Sequence, residues 1–310
     1  MTIVDPHASA PAPGIPSGGE AGIADVATAP QPLRVDIVKR FLRNPLAVAG
    51  FSFLVFLVLV AVFADLIAPM GFAERTQPQV SREGPSSEHW FGTDITGRDV
   101  FSRVVYGSRV SLKIGILATT LALTIGVMFG SAAGYFGGWI DTFMMRITDV
   151  FLAIPYIILA ISIATVFGRS ENAVILVLGL TGWLPISRIV RASFLGLKQL
   201  EYVEAATALG FGKGRIMFRH ILPNALQPII VYGTVSIGSA ILSEAALSFL
   251  GVGPRSPTPA WGLMVAEAGA GSLASAPHIL FFPGLAIFLT VLAFVLVGDG
   301  LRDALDPKLK

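Results

Sequence analysis

A polar, basic segment between two long apolar runs carries most of the side chains that could bind another molecule. It contains Glu204-Ala205-Ala206-Thr207-Ala208-Leu209-Gly210 and ends at Leu222-Pro223. Six cations flank it or lie within it: Arg188, Arg191, Lys198, Lys213, Arg215 and Arg219. A basic cluster of this kind can bind anionic lipid, fix the orientation of a membrane protein or dock a protein partner. Composition alone leaves these readings open.

A single carboxylate inside an apolar run is the second candidate. Glu244 follows a stretch without charged residues that begins after His220. A carboxylate within a membrane span is costly, so such residues line pathways, act as gates, or are satisfied by hydrogen bonds inside the bundle. Both a functional and a structural role are therefore expected alternatives for Glu244.

The motifs of common enzyme classes do not match. A phosphate-binding loop around Gly212-Lys213 would need Gly at position 207 and Ser or Thr at position 214, where the chain has Thr207 and Gly214. There is no His-Glu-x-x-His pair, no Gly-x-Ser-x-Gly turn and no cysteine. We expect no catalytic residue, no metal site and no cofactor in this chain.

The composition indicates that membrane helices position these residues. The chain has 310 residues, of which 54% are apolar and 14% charged, whereas soluble domains carry about 25% charged residues. A net charge of +2 does not suggest nucleic-acid binding. Residues 1–33 are rich in Pro, Ala and Gly and are predicted to be disordered. The first apolar stretch starts late and is long, which favours a retained span over a cleaved signal peptide.

Six apolar runs approach or exceed the length needed to cross a bilayer. They are 44–64, 114–140, 150–168, 172–187, 220–243 with an extension past Glu244, and 268–298 with a span starting near Leu280. The fourth is short, so Arg188 and Arg191 are expected to snorkel at its end. Arg146 and Asp149 lie three residues apart and are expected to pair on one helix face.

Lys and Arg placement predicts the orientation. With the N-terminus inside, fourteen of the 22 Lys and Arg residues fall on the inner side and eight on the outer side. Both termini are therefore expected to be cytoplasmic, with 69–113 as a polar external region. Gly126, Gly130 and Gly134 share a helix face and predict close helix packing.

Around the basic segment, local propensities predict a pair of short helices along the membrane surface. Residues 201–208 are good helix formers, and Gly210 suits a left-handed helix end. Residues 215–220 are expected to form the second helix, after which Pro223 opens the next span.

At this point the residues resemble a family. The segment is similar to the E-A-A-x-x-x-G-x9-I-x-L-P motif of ABC importer permeases. The matching positions are Glu204, Ala205, Ala206, Gly210, Leu222 and Pro223, with His220 in place of the Ile. In that family the motif docks into a groove of a cytoplasmic ATPase subunit, which implies the same role for these six residues.

The resemblance extends from about Arg40 to Lys310. Further matching stretches are 91–103 (F-G-T-D-x-x-G-R-D-x-x-S-R), 242–251, Pro257-x-Pro259-x-Trp261-Gly262 and 298–307. They resemble the C-type subunit of the dipeptide/oligopeptide/nickel permease family. Ser256 and Val295 depart from its pattern, where Pro and Asn are usual.

The resemblance implies an all-α integral membrane protein with six transmembrane helices and a coupling helix pair, the type I importer permease fold. It divides the chain into a tail (1–33), an N-terminal region with the first span and a periplasmic segment (34–110), and a permease core (111–310) with the coupling loop 199–223. Glu244 and Trp261 are its gate or pathway candidates.

The implied function is a non-catalytic inner-membrane subunit of an ATP-driven importer for di- or oligopeptides, working by alternating access. Its expected partners are a second homologous permease, two ATPase subunits that bind ATP and Mg, an external substrate-binding protein and membrane lipid. The alternatives are a permease for nickel or another small solute, an ion-coupled secondary transporter using Glu244 or Asp149, and a passive scaffold.

Overall fold

The computed structural model of the chain describes residues 33–75, 80–269 and 271–305. Within these ranges the chain is helical, and its one β feature is an isolated bridge between Thr93 and Asp99. The tail predicted to be disordered lies outside the described residues, apart from Leu33, which begins the first helix. The last two residues of the C-terminal 298–307 motif also lie outside them.

Thirteen α-helices are present in the described ranges. They are α1 (Leu33–Arg43), α2 (Pro45–Val62), α3 (Ala64–Ile67), α4 (Val100–Phe136), α5 (Gly138–Ala153), α6 (Tyr156–Phe167), α7 (Glu171–Leu197), α8 (Glu201–Ala208), α9 (Lys213–Arg215), α10 (Leu222–Phe249), α11 (Trp261–Ala268), α12 (Ser272–Ser275) and α13 (His278–Leu305). A π-helical turn, Ile216–Ile221, joins α9 to α10.

Five helical stretches are long and apolar enough to span a membrane, and a sixth crossing is a bent pair. α5 and α6 meet at 90°, whereas the third span was expected as a single apolar run over 150–168. Pro155 explains the break, because it lacks an N–H and favours an extended residue before it, as seen at Ile154 (φ −85°, ψ 125°).

The bent pair must carry the chain across the bundle. α4 and α7 pack in parallel, since Gly126 faces Ile186 and Gly134 faces Phe194. α4 ends at Phe136, and α7 begins at the opposite end of α4, where Lys113 binds Glu171 at 2.9 Å. Residues 137–170 therefore return from one end of the bundle to the other, which gives six crossings.

The fourth span is longer than predicted, and its arginines do not mark its end. α7 runs through Pro185 to Leu197. Arg191 donates to Asp141 at 2.5 and 2.7 Å, and Arg188 donates to Asp149 at 2.7 Å. The expected snorkelling is thus replaced by ion pairs to α5. The expected pairing of Asp149 with Arg146 is likewise replaced by a contact between helices.

The predicted glycine face of α4 lies directly against α7. A Cβ atom at Gly130 would stand 2.5 Å from the Ser187 carbonyl oxygen, and one at Gly126 would stand 2.6 Å from the Ile186 side chain. The absence of side chains at these positions lets the two backbones approach closely, as the small-residue spacing predicted.

The remaining spans define two ends of the molecule. α13 runs antiparallel to α2 and α10: its start lies near Thr93, which binds His278, and its last residue, Leu305, accepts a bond from Gln227. We call the end that holds α8 the α8 end, and the opposite end, which holds α11 and the loop before α4, the α11 end.

Candidate functional site

The segment that carries the docking candidates is a short helix with a well-formed stop. α8 ends in a motif in which Gly210 N–H donates to the Thr207 carbonyl (3.0 Å) and Phe211 N–H donates to the Ala206 carbonyl (3.2 Å). Gly210 adopts φ 77°, a left-handed conformation that glycine reaches without a Cβ penalty. The predicted left-handed helix end at Gly210 is confirmed.

The six docking candidates divide into surface and packing residues. Glu204, Ala205, Gly210 and Pro223 are exposed. Ala206 is 5% exposed and packs in the cluster that includes Ile216, while Leu222 is half-buried. Ala206 therefore packs α8 against the rest of this chain, whereas the resemblance implied that it docks on a partner.

The second helix of the expected pair is not a separate element. α9, the π-helical turn Ile216–Ile221 and α10 form one continuous helical run. Pro223 lies in the first turn of α10, as predicted. A single projecting helix, α8, is thus attached to the base of the fifth span.

A groove of about 700 Å³ lies beside α8. Its walls include the end of α4 at Tyr135 and Phe136, together with Glu204 and Phe211. Next to the groove, large apolar side chains point outward: Leu209 is 73% exposed. This surface combines a carboxylate, cations and exposed apolar groups.

The His220 side chain holds the turn after α8 against the start of α10. Its ring stacks on Phe211 with centroids 5.7 Å apart, and the Arg215 guanidinium lies 4.4 Å from the centre of the Phe211 ring. The His220 carbonyl accepts a hydrogen bond from Asn224 at 2.8 Å. An isoleucine would supply the apolar contact but not the planar stack.

The gate or pathway candidates Glu244 and Trp261 are both buried inside the chain. Glu244 is 1% exposed and accepts a hydrogen bond from Ser248 Oγ at 2.7 Å. The Gly262 amide approaches the carboxylate, yet Glu244 Oε2 makes no hydrogen bond of ordinary geometry within the described structure. Trp261 is 0% exposed and donates from Nε1 to the Val104 carbonyl at 2.9 Å.

These contacts place Glu244 and Trp261 at the junction of α11 with α4 and α10. Close packing completes the junction, because a Cβ atom at Gly262 would stand 2.3 Å from Ala245 Cα and one at Gly107 would stand 2.6 Å from the Trp261 ring. Neither Glu244 nor Trp261 lines any of the cavities described among the placed residues.

A buried ionic cluster closes the α11 end. Arg98 and Arg103 each bridge the same two carboxylates: to Asp94 at 2.7 and 2.6 Å, and to Glu267 at 2.9 Å each. We call these four residues the cap cluster. Burial raises the pKa of Asp94, but the Arg103 charge, the Arg98 amide and charge, and the Thr96 hydroxyl together hold it below its usual value.

The cap cluster joins three parts of the chain: the loop before α4, α4 itself, and α11. Within the loop, Asp99 caps α4 by accepting from the Ser102 amide (2.7 Å) and pairs with His89 (3.1 Å). Sequence reasoning included Asp94, Arg98 and Arg103 in a motif but missed Glu267. The available signal was a lone carboxylate in the apolar run that follows Trp261.

Two family models match the chain. Residues 126–310 match "Binding-protein-dependent transport system inner membrane component", and residues 33–85 match "N-terminal TM domain of oligopeptide transport permease C". The first match alone covers more than half of the chain and includes α8 and the fifth and sixth spans.

Similar proteins carry transport names. The dipeptide transport system permease protein of Alkalihalophilus pseudofirmus is 46% identical over 286 residues, which cover 92% of this chain and 93% of that protein. The glutathione transport system permease protein of Pectobacterium atrosepticum is 45% identical over 272 residues, covering 88% and 90%. These alignments extend over nearly the whole chain.

The fold matches a solved ABC transporter. Inward-facing structures of the MetNI methionine ABC transporter superpose with TM-scores of 0.54 and 0.55 at 19% identity, covering 66% of this chain and 97% and 98% of theirs. The helical architecture is thus that of an importer permease, as the sequence predicted. The chain belongs to the family of binding-protein-dependent transport system inner membrane components, and it is a multi-pass permease subunit of an ABC importer.

Proposed function

We propose that this subunit imports di- or oligopeptides, with the energy supplied by separate ATPase subunits that dock on α8. The peptide assignment is supported by relatives at 46% and 45% identity that are named as dipeptide and glutathione permeases. Both substrates contain peptide-type amide bonds, whereas the nickel alternative has no named counterpart among these relatives.

The docking proposal rests on one observation: α8 has a buried face, which we call the held face, and an exposed face, which we call the free face. Val203 and Ala206 are buried against the bundle, while Glu204 and Ala205 are exposed beside the groove. A partner can therefore press on the free face, and the buried face transmits the displacement to the packed spans.

Two connections carry that displacement into the bundle. At the start of the segment, Lys198 Nζ donates to the Tyr135 carbonyl at 2.7 Å, which ties the end of α7 to the end of α4. After α8, the π-helical turn leads into α10 without a break. Movement of α8 thus shifts α7 and α10 together, which is the rigid-body rocking that alternating access requires.

The proposed assembly contains a second homologous permease, two ATPase subunits that bind ATP and Mg, and a substrate-binding protein. The α8 end faces the cytoplasm together with both termini, and the binding protein contacts the α11 end. No catalytic residue is assigned to this chain, because hydrolysis takes place on the ATPase subunits.

Glu244 and Trp261 are assigned a positioning role within this mechanism. They hold α11 against α4 and α10 at the α11 end. In that place they set the shape of the surface offered to the binding protein and do not contact the transported peptide.

Copurification tests the docking proposal. Glu204→Lys reverses the exposed charge on α8 and is expected to remove most of the ATPase subunits that copurify with the tagged complex. Glu88→Lys makes the same change at an exposed position of the α11 end and serves as the matched control. Equal ATPase recovery with both variants would remove Glu204 from the docking site.

A further inference from the structure

One face of α10 carries a row of hydroxyl groups, of which three belong to half-buried residues and one, on Ser239, to an exposed residue. Tyr232, Ser236, Ser239 and Ser243 are spaced by four, three and four residues, so they share a helix face. All four line a cavity of about 130 Å³ between α10, α4 and α7.

An unpaired hydroxyl faces this row from α4. Thr119 lines the same cavity, is 4% exposed, and its Oγ1 has no hydrogen-bond partner within the described structure. Buried polar atoms in folded proteins are nearly always paired with protein or water. An unpaired hydroxyl in a cavity of this size therefore points to a ligand or water that occupies it.

Two of the α10 hydroxyls, those of Ser236 and Ser239, offer acceptor lone pairs to that occupant. Ser236 donates its own proton to the Tyr232 carbonyl at 2.8 Å, and Ser239 donates to the Val235 carbonyl at 3.4 Å. A hydroxyl whose proton is engaged can still accept a hydrogen bond. No acidic or basic side chain is among the described residues that line the cavity, so the lining suits uncharged polar groups, and the engaged hydroxyls of α10 suit N–H donors such as peptide amides.

Tyr232 is the boundary between this cavity and a wider space. It also lines a groove of about 610 Å³ toward the α8 end, together with Gln227, Asp299 and Arg302. α10 thus passes from a narrow, uncharged, hydroxyl-lined cavity to a wide groove with charged walls, and Tyr232 is the lining residue that they share.

We propose that the hydroxyl face of α10, with Thr119 opposite, is the wall of the transport path that contacts the peptide backbone, and that Tyr232 separates it from the exit groove. This inference rests on the proposed peptide-import function. In the path, this subunit recognises the amide N–H groups that all peptides share. Discrimination between peptide side chains is then a property of the binding protein.

The absence of cysteine from the chain allows a direct test. The complete complex is reconstituted in vesicles with Ser239→Cys, and the rate of modification by a cationic methanethiosulfonate is read on this subunit by mass spectrometry. Val58→Cys, on the exposed surface of α2, is the control. We expect Ser239→Cys to react at least tenfold faster, and to be slowed at least threefold by dialanine in the presence of binding protein and ATP.

The modification rate is also measured with binding protein and ATP but without dialanine. This comparison separates protection of the cysteine by bound dialanine from a change in its accessibility caused by conformational change. Equal modification rates with and without dialanine would overturn the inference if the same vesicles still take up dialanine. Lack of dialanine uptake by the unmodified complex would instead contradict peptide import itself, and the inference would fall with it.

A second pair of variants tests recognition. Thr119→Val removes the unpaired hydroxyl and is expected to lower dialanine uptake per ATP hydrolysed by about fivefold, the effect of losing one hydrogen bond. Thr120→Val is the control, since Thr120 is exposed and bonds its own helix at Ile116 (2.8 Å). Equal uptake in both variants contradicts a contact at Thr119.

Discussion

At the scale of single residues, Gly210 has a left-handed backbone conformation and also lies in the proposed docking segment. Its φ of 77° closes α8, and a side chain there costs about 1 kcal/mol in the left-handed region. Gly210→Ala is therefore expected to loosen the end of α8 and to reduce ATP-driven uptake while leaving the spans inserted, as measured in reconstituted vesicles.

Gly212 provides the matched control for that variant. It has φ −60° and ψ 146°, and no atom lies within 4 Å of an added Cβ. Gly212→Ala should therefore keep full uptake. If Gly210→Ala and Gly212→Ala behaved alike, the helix end at Gly210 would have no part in coupling.

Glu244 allows a positioning role to be distinguished from a gate. Glu244→Gln retains an acceptor for Ser248 and should keep transport close to that of the unmodified protein. Glu244→Ala leaves the Ser248 hydroxyl unpaired beside a void and should lower stability by about 2 kcal/mol, read as a lower melting temperature in detergent. Loss of transport in a stably folded Glu244→Gln would instead support the gate reading.

Residues whose role depends on their neighbours in sequence could be predicted, and residues paired at long range could not. Gly210 was predicted because a glycine after good helix formers favours a left-handed end. Glu267 was not, since its partners Arg98 and Arg103 lie more than 160 positions away. Ala206 was assigned to a partner surface because sequence alone does not reveal which face of α8 is buried.

At the scale of elements, the cap cluster fixes the loop before α4 and α11 to one another. Asp94→Asn removes a carboxylate shared by two buried guanidinium groups and is expected to cost about 3 kcal/mol. Limited proteolysis of the loop should become faster and the melting temperature should fall. The control is Asp65→Asn, which removes an exposed partner of Arg109 (3.2 Å) and should cause no comparable loss.

The pH dependence of the cap cluster has a definite sign. The pKa of Asp94 is lowered in the folded protein, so its contribution to stability is present above the usual aspartate range. It is lost only as the pH falls through the lower, folded value. The ratio of loop proteolysis rates in Asp94→Asn and the unmodified protein should therefore be the same at pH 7 and pH 5; a ratio that falls across that range would contradict the assigned charge state of Asp94.

Hydropathy predicted the number of crossings but not the shape of each element. In the sequence, the charges of Arg188 and Arg191 marked the end of the apolar run predicted as the fourth span. α7 nevertheless continues past both arginines, which pair with Asp149 and Asp141 of α5. The break at Pro155 was visible as a proline, but the 90° bend depends on how α5 packs against its neighbours.

At the scale of the whole molecule, the two ends are built for different contacts. The α11 end is closed by paired charges and buried aromatic packing, whereas the α8 end presents an exposed short helix and open grooves. We propose that force applied at the α8 end reaches the α11 end through α7 and α10, which also form walls of the hydroxyl-lined cavity. In the proposed mechanism, this arrangement links the ATPase docking site, the transport path and the outer surface.

The most direct test is dialanine uptake by the reconstituted complex, with ATP supplied only to the compartment that faces α8. The account predicts that uptake requires this ATP and is lost with Glu204→Lys. Uptake that continues without ATP, or after the ATPase subunits are removed, would contradict it and would favour an ion-coupled transporter.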